Sequence, residues 1–269
     1  MAEPGTIFLM YHELAQTGRA LCNSEPGYTR YVVPASEFRT QIETLAQQGW
    51  CGKDVTQAMQ AFDGKSVGVT FDDGSESDLL FAAPALKHVG FSATFYITAG
   101  FVGKPGYLSE SQLRDLSSLG FEIGCHSLTH PYLTDIDANR LREETKGAKD
   151  RLERLIGVAV DHFSCPGGRW NQRVVDAVKA AGFKTMATSR TGVNFAGTNP
   201  FALARFAVLD RTTTDELMRA CRGHGLFQIQ FREKARDTIK SVLGNSAYDS
   251  LRALMLGRER KSSSEIDNQ

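Results

Sequence analysis

Val67-Gly-Val-Thr-Phe-Asp-Asp-Gly74 is an apolar, β-branched run that stops on two carboxylates and a glycine. The run reads as a strand that starts at Ser66 and ends at Phe71. Side chains alternate faces along a strand, so two adjacent carboxylates ordinarily point opposite ways. At a strand end followed by glycine, backbone twist can bring both into one cleft from different directions. One carboxylate would then bind a cation while the other handles a proton. Asp-Gly is also an ordinary turn dipeptide. The stretch alone carries both readings, and the surrounding sequence decides between them.

Outward from this stretch the chain repeats a unit. A helix stops at a glycine, an aromatic follows, and a strand begins. The joints are Gly49-Trp50, Gly90-Phe91, Gly120-Phe121 and Gly182-Phe183. A C-terminal glycine ends a helix in the left-handed region, and the aromatic packs at the base of the next strand. Strands are expected at 6–11, 93–97, 122–125 and 184–188. Helices are expected at 36–48 with Ser36 as N-cap, 55–62, 78–88, 109–119 with a Ser109/Gln112 capping box, 138–156 and 171–181. Alternating strands and helices predict a parallel sheet. About seven strands over roughly 200 residues suit a (β/α) barrel or an open doubly wound sheet. Both folds put chemistry at the C-terminal ends of strands. Polar residues do gather there: His12 after 6–11, Asp72 and Asp73 after 66–71, His126 after 122–125, and Cys165-Pro-Gly-Gly168 after His162-Phe163.

Lysine plus arginine equal aspartate plus glutamate at 31 each, so no global field draws nucleic acid or an anionic membrane. Five cysteines at scattered spacing make neither a disulfide framework nor a CxxC zinc site. The N-terminus lacks a basic region and a long apolar run, which predicts a cytoplasmic, reduced protein. The expected organisation is a barrel over 1–210, a helical extension over 211–256 and a disordered tail over 257–269. In the extension, Thr213 with Glu216 caps a first helix, and 226–243 and 246–255 read as basic amphipathic helices. These could pack on the barrel, mediate a dimer, or hold the protein near a membrane or a glycosyltransferase.

His126-Ser-Leu-Thr-His130 is the second constellation. Two imidazoles four residues apart share one face of a helical turn, a spacing that suits one transition metal. With Asp73 at another strand end they make a two-imidazole, one-carboxylate set of the catalytic zinc type, which leaves a coordination position for water. Asp72, beside that ligand and aimed elsewhere, could accept the water's proton.

Thr70-Phe-Asp-Asp-Gly74 and His126-Ser-Leu-Thr-His130, about fifty residues apart, resemble the first two motifs of the polysaccharide deacetylases, the NodB-homology proteins of carbohydrate esterase family four. The likeness covers roughly 6–210. It implies an α/β fold, a distorted (β/α)7 barrel, to which the residue pattern adds the C-terminal helical extension. It implies Asp72 as catalytic base, Asp73, His126 and His130 as ligands of a divalent metal such as Zn2+, and a backbone N–H near Tyr132 as oxyanion donor. Family members remove N-acetyl, or sometimes O-acetyl, groups from sugars. Phe163-Ser-Cys-Pro-Gly-Gly168 is similar to the third motif, with Pro166 and Gly168 in place. Ser164 stands where an arginine usually orients the base, and Arg169 and Arg205 are candidates to replace it. The usual Asp and Trp of the fourth motif are absent from 187–192. Leu9-Met-Tyr-His12 resembles the fifth motif, displaced to the N-terminus as in the permuted branch similar to poly-N-acetylglucosamine deacetylases. It implies His12 as the acid that protonates the leaving amine.

Pro166, Gly168, Trp170, Tyr132 and Arg205 are the expected substrate contacts, with Trp170 stacking on a sugar ring or packing at the groove edge. The expected partner is an acetylated saccharide, such as an exopolysaccharide intermediate, and no nucleic acid. Two alternatives stand beside it. One is a hydrolase of cyclic amides or O-acetyl esters on the same scaffold. The other is a non-catalytic carbohydrate-binding protein. A nuclease or phosphatase is disfavoured by the lack of basic runs and of phosphate-cradling glycine loops.

Overall fold

The glycine joints set the architecture. Gly49, Gly90, Gly120 and Gly182 all have φ between 72° and 83°. At three of them the following aromatic N–H reaches back to the last helical turn: Trp50 to Leu45 O, Phe91 to Leu86 O and Phe183 to Val178 O. Trp50, Phe91, Phe121 and Phe183 are buried beneath the strands they introduce. A residue with a Cβ is strained at these angles, so the helix ends are fixed locally, before tertiary packing.

A computed structural model of the chain describes residues 5–60 and 62–231. Its strands are β1 (Ile7–Tyr11), β2 (Leu14–Ala15), β3 (Val33–Pro34), β4 (Cys51–Lys53), β5 (Ser66–Phe71), β6 (Thr94–Ile97), β7 (Glu122–Cys125), β8 (His162–Ser164), β9 (Thr185–Ala187) and β10 (Phe206–Ala207). The main sheet runs β10-β1-β5-β6-β7-β8-β9, with β4 also on β5. Its ladders are parallel. A parallel bridge from Ala187 to Leu203, just before β10, curls the two ends toward each other. The result is a distorted (β/α) barrel. The distortion is visible at β5, whose far edge pairs with β4 through Gly68 and with β6 only from Thr70.

β1 and β5 are buried along their whole length, as expected for parallel strands covered on both faces. Outside the sheet an aromatic column, Tyr11, Phe71, Phe95 and Phe121, steps across it with ring centroids 4.9 to 5.4 Å apart. Inside, Phe8 and Tyr96 fill the barrel with Ala187 and Leu203. Each large ring faces a glycine in register on the next strand, Phe8 against Gly68 and Tyr96 against Gly124.

Several helices differ from the sequence reading. The helix expected from Ser36 starts at Ala35 with Pro34 before it, and the Ser36 side chain does not cap it. The helix expected over 55–62 covers Val55–Ala58, capped by Asp54. That over 78–88 opens with a π-type turn, Asp78–Ala82, before Ala83–His88. That over 138–156 is Ala138–Arg142, a π-type turn Glu143–Gly147, and Ala148–Ile156. Such turns recur at functional sites because they re-aim side chains, and the second one carries a residue of the site below.

Helix Thr214–Cys221 has the expected capping box and buries Leu217, Met218, Ala220 and Cys221. Gln41 donates to Thr212 O and Thr214 to Glu37, which ties this segment to helix Ala35–Gln47. Residues 226–231 are helical. The rest of the expected extension and the tail lie outside the described residues, and so does the expectation of membrane or glycosyltransferase association. Among the described residues no helix is long and apolar enough to cross a membrane.

A Cβ on Gly68 would stand 2.5 Å from the Phe8 ring, and one on Gly124 would stand 2.3 Å from Tyr96. Gly68→Ala and Gly124→Ala are therefore each expected to destabilise the fold by about 1–3 kcal/mol through overpacking. Urea denaturation read by tryptophan fluorescence measures this. An unchanged midpoint in both variants would show that the barrel interior is not packed as described.

Candidate active site

Asp72 and Asp73 part ways because of backbone conformation. Asp72 continues β5 and its N–H donates to Tyr11 O. Asp73 then turns left-handed at φ 80° and Gly74 follows at 85°. Aspartate tolerates this region better than most side chains. Ser127 and His130 are the other non-glycine residues with positive φ among those described. All three belong to one site, which is where stored backbone strain tends to gather.

Those turns bring three ligand atoms together. One ligand atom from each of Asp73, His126 and His130 lies within 4.8 Å of the others. The two imidazole Nε2 atoms sit 3.5 and 3.4 Å from Asp73 Oδ1. That oxygen is buried and has no hydrogen-bond partner among the described residues. His126 Nδ1 lies 2.9 Å from Ser164 O. A carbonyl only accepts, so Nδ1 carries the proton and Nε2 presents its lone pair. Burial pushes the His126 imidazole down to about 4, against the pull of Asp72, which keeps it neutral. An orphaned carboxylate oxygen beside the two imidazole Nε2 atoms fits a divalent metal ion.

The His126–His130 segment is not a helical turn, in contrast to the reading from spacing. It is a loop with left-handed residues near both ends. Glu144, from the second π-type turn, holds it. Its buried carboxylate accepts from Leu128 N at 2.9 Å and Thr129 N at 2.8 Å, and from Thr129 Oγ1. Arg140 pairs with it at 2.8 Å. Sequence reading missed Glu144, since nothing in a run of helical charges marks the one that turns inward.

Asp72 is held differently. Arg205 meets it with two parallel bonds, Nη1 to Oδ1 at 2.7 Å and Nη2 to Oδ2 at 2.8 Å. Ser164 Oγ adds a bond to Oδ2 at 3.2 Å. Burial alone would push this carboxyl up, but the Arg205 guanidinium holds it far below the usual carboxylate range. Arg205 is fully buried. It therefore does not reach the groove as the substrate contact expected of it. Instead it stands in for the arginine missing at Ser164, from a different strand connection. Pro166 is also buried and is not among the residues that line the groove.

The remaining residues face one groove of about 1730 Å³, lined among others by His12, Tyr132, Gly168 and Trp170. His12 is half-buried and packs against Tyr31 with ring centroids 4.6 Å apart. Burial lowers its pKa, and Asp73 and Asp72 pull it back up. His162 is buried away from the groove beside Glu122 and Thr185.

Residues 60–186 match the family model described as polysaccharide deacetylase. This stretch is a polysaccharide deacetylase domain. The chain is 25% identical over 207 residues to the protein YxkH of Bacillus subtilis, spanning 74% of this chain and 70% of that one. It is 29% identical over 126 residues to a chitooligosaccharide deacetylase of Azorhizobium caulinodans, spanning 46% of this chain and 58% of that one. The deacetylase fold recurs in the structure of the Streptococcus pyogenes deacetylase PplD, with a TM-score of 0.71 at 21% identity, over 81% of this chain and 98% of that one.

Arg205→Met leaves Asp72 buried without its cation and is expected to cost about 3–5 kcal/mol of stability. Arg205→Lys keeps the charge but loses the planar two-point contact, so it should recover only part of the loss. Denaturant midpoints of the two variants measure both effects. A loss below about 1 kcal/mol in the methionine variant, the size of an exposed pair, would contradict the buried clamp.

Proposed function

We propose that this protein is a metal-dependent hydrolase that removes N-acetyl groups from amino sugars within a saccharide chain. The observation that carries the reading is the convergence of Asp73, His126 and His130 beside an ionised, arginine-clamped Asp72 at the C-terminal ends of the barrel strands. The aromatic-walled groove is wide enough for several sugar units.

Asp73 Oδ1, His126 Nε2 and His130 Nε2 would hold the metal, zinc in this reading. Bound there, it supplies a Lewis acid for the acetyl carbonyl and lowers the pKa of a water molecule. Asp72 takes the proton that the attacking water gives up. Oδ2 already accepts from Arg205 and Ser164, whereas Oδ1 accepts one charged bond, so the free lone pair for this proton lies on Oδ1. The Arg205 guanidinium keeps this carboxylate ionised before the water attacks, as a base must be. His12, in its protonated form, gives a proton to the departing sugar nitrogen, so the products are acetate and the free amine. Burial lowers the His12 pKa overall, and the pull of Asp73 and Asp72 offsets part of that. Tyr132 and Trp170 line the groove where sugar rings would pass. In this reading His12 takes the place of a C-terminal acid histidine. A barrel allows the exchange, because β1 and β10 are neighbours.

Acetate release from N-acetylglucosamine oligomers, with metal content measured on the same samples, tests this. Asp72→Asn should retain metal and lose about 10²–10⁴-fold in turnover. His126→Ala should lose the metal, and chelation of the wild type should abolish turnover until Zn2+ is restored. Near-normal activity in Asp72→Asn would sink the assignment of the base. His12→Gln should slow amide hydrolysis far more than hydrolysis of an aryl acetate, because a phenolate leaves without being protonated. Equal losses on both substrates would remove His12 from the acid role.

A further inference from the structure

The chain as a whole carries no net charge, yet the groove is cationic away from its catalytic centre. Arg30, Arg190, Arg211 and Arg219 line it, against Glu25 and Glu216, outside the centre where Asp72 is paired with Arg205 and Asp73 faces the metal position. None of these four arginines has an ion pair among the described residues. Glu216 is engaged at home: its carboxylate accepts from Thr213 N and Oγ1 in the capping box. Away from the catalytic centre, the excess of positive charge among the described residues is thus a property of this surface.

Two of the arginines are placed by aromatic rings. Arg190 lies over Trp170 at 4.9 Å, and Arg30 over Tyr31 at 5.4 Å. Tyr31 in turn packs on His12. A guanidinium stacked on a ring is held through its charge, and its N–H donors stay available to a third partner. Arg30 therefore stands one ring away from the proposed proton donor, and Arg190 stands on the tryptophan of the groove wall. Arg211 and Arg219 are exposed on the same groove. Neutral sugars offer hydroxyls, which are served as well by amides and carboxylates as by cations. A row of donor-only, planar cations matches carboxylate, sulfate or phosphate groups instead.

We propose that the groove selects an anionic saccharide, in which the units flanking the acetylated sugar carry carboxylate or phosphoryl-type groups that Arg30 and Arg190 bind. This rests on the deacetylase reading above and narrows its substrate. Arg211 and Arg219 add to the field that draws such a chain in.

The test uses the full chain loaded with its metal. Acetate release is compared across three oligomer series of equal length: neutral N-acetylglucosamine, N-acetylglucosamine alternating with a uronic acid, and N-acetylglucosamine bearing phosphate. At low salt, kcat/KM should be about tenfold or more higher for at least one anionic series than for the neutral one. The two anionic arms separate carboxylate from phosphate. Raising ionic strength from about 10 mM to 150 mM shortens the screening length from about 30 to 8 Å, so it should erode that preference and leave the neutral series flat. Arg190→Gln and Arg30→Gln should each reduce the preference about threefold, through KM rather than kcat. Neutral oligomers turned over equally well, or equal salt responses in all series, would overturn the proposal and leave the deacetylase reading standing. If no series released acetate, the deacetylase reading would fall. Equilibrium titration of the same oligomers would then still decide the charge preference, as would the wild-type salt dependence if an arginine variant failed to fold.

Discussion

The buried pair of Arg205 and Asp72 is the contact on which the site depends. A guanidinium and a carboxylate removed from water lose several kcal/mol of hydration each, and only close geometry with matched donors compensates for it. Here the matching is thorough. Beyond the two bonds to Asp72, Arg205 donates from Nε to Thr188 O at 2.9 Å, from Nη2 to Ser164 Oγ at 2.9 Å and from Nη1 to Thr70 Oγ1 at 3.3 Å. Its guanidinium also lies 5.6 Å from the Tyr96 ring inside the barrel. One side chain therefore joins β5, the end of β8, the turn after β9 and the start of β10. The same contact that closes the barrel keeps Asp72 ionised and oriented.

Ser164 links this pair to the metal-ligand set. Its hydroxyl accepts from Arg205 and donates to Asp72, while its backbone carbonyl fixes the protonated nitrogen of His126. An arginine at position 164 would orient Asp72 directly. With serine there, the guanidinium arrives from the far side of the barrel and the hydroxyl fills the gap. The two carboxylates then have opposite surroundings: both oxygens of Asp72 accept from donors, and Asp73 keeps a bare buried oxygen. That contrast gives a physical basis for their different roles.

The ligand loop depends on a second buried acid. Glu144 takes up the N–H groups of Leu128 and Thr129, which the left-handed turn at Ser127 aims inward. A continuous α-helix through 138–156 would rotate position 144 relative to this loop, and the π-type turn at Glu143–Gly147 changes that alignment. Irregular backbone in the outer layer and strained backbone in the loop are thus parts of one arrangement.

Much of this was legible in the sequence. The glycine–aromatic joints, the apolar runs and the polar residues that end them specify local conformations. They therefore announced the parallel strands, the helix ends and the strand-end placement of Asp72, Asp73, His12 and His126. The spacing of His126 and His130 pointed to a shared ligand set but not to its backbone, because a four-residue interval is equally compatible with a helical turn and with a strained loop. What the sequence could not assign was which arginine meets Asp72. Arg205 lies 133 residues away from it, and its surroundings do not distinguish it from an exposed arginine. Burial, two-point geometry and the inward turn of Glu144 are products of barrel closure. Only the tertiary structure decides them, because they depend on distances between strands that no local pattern encodes.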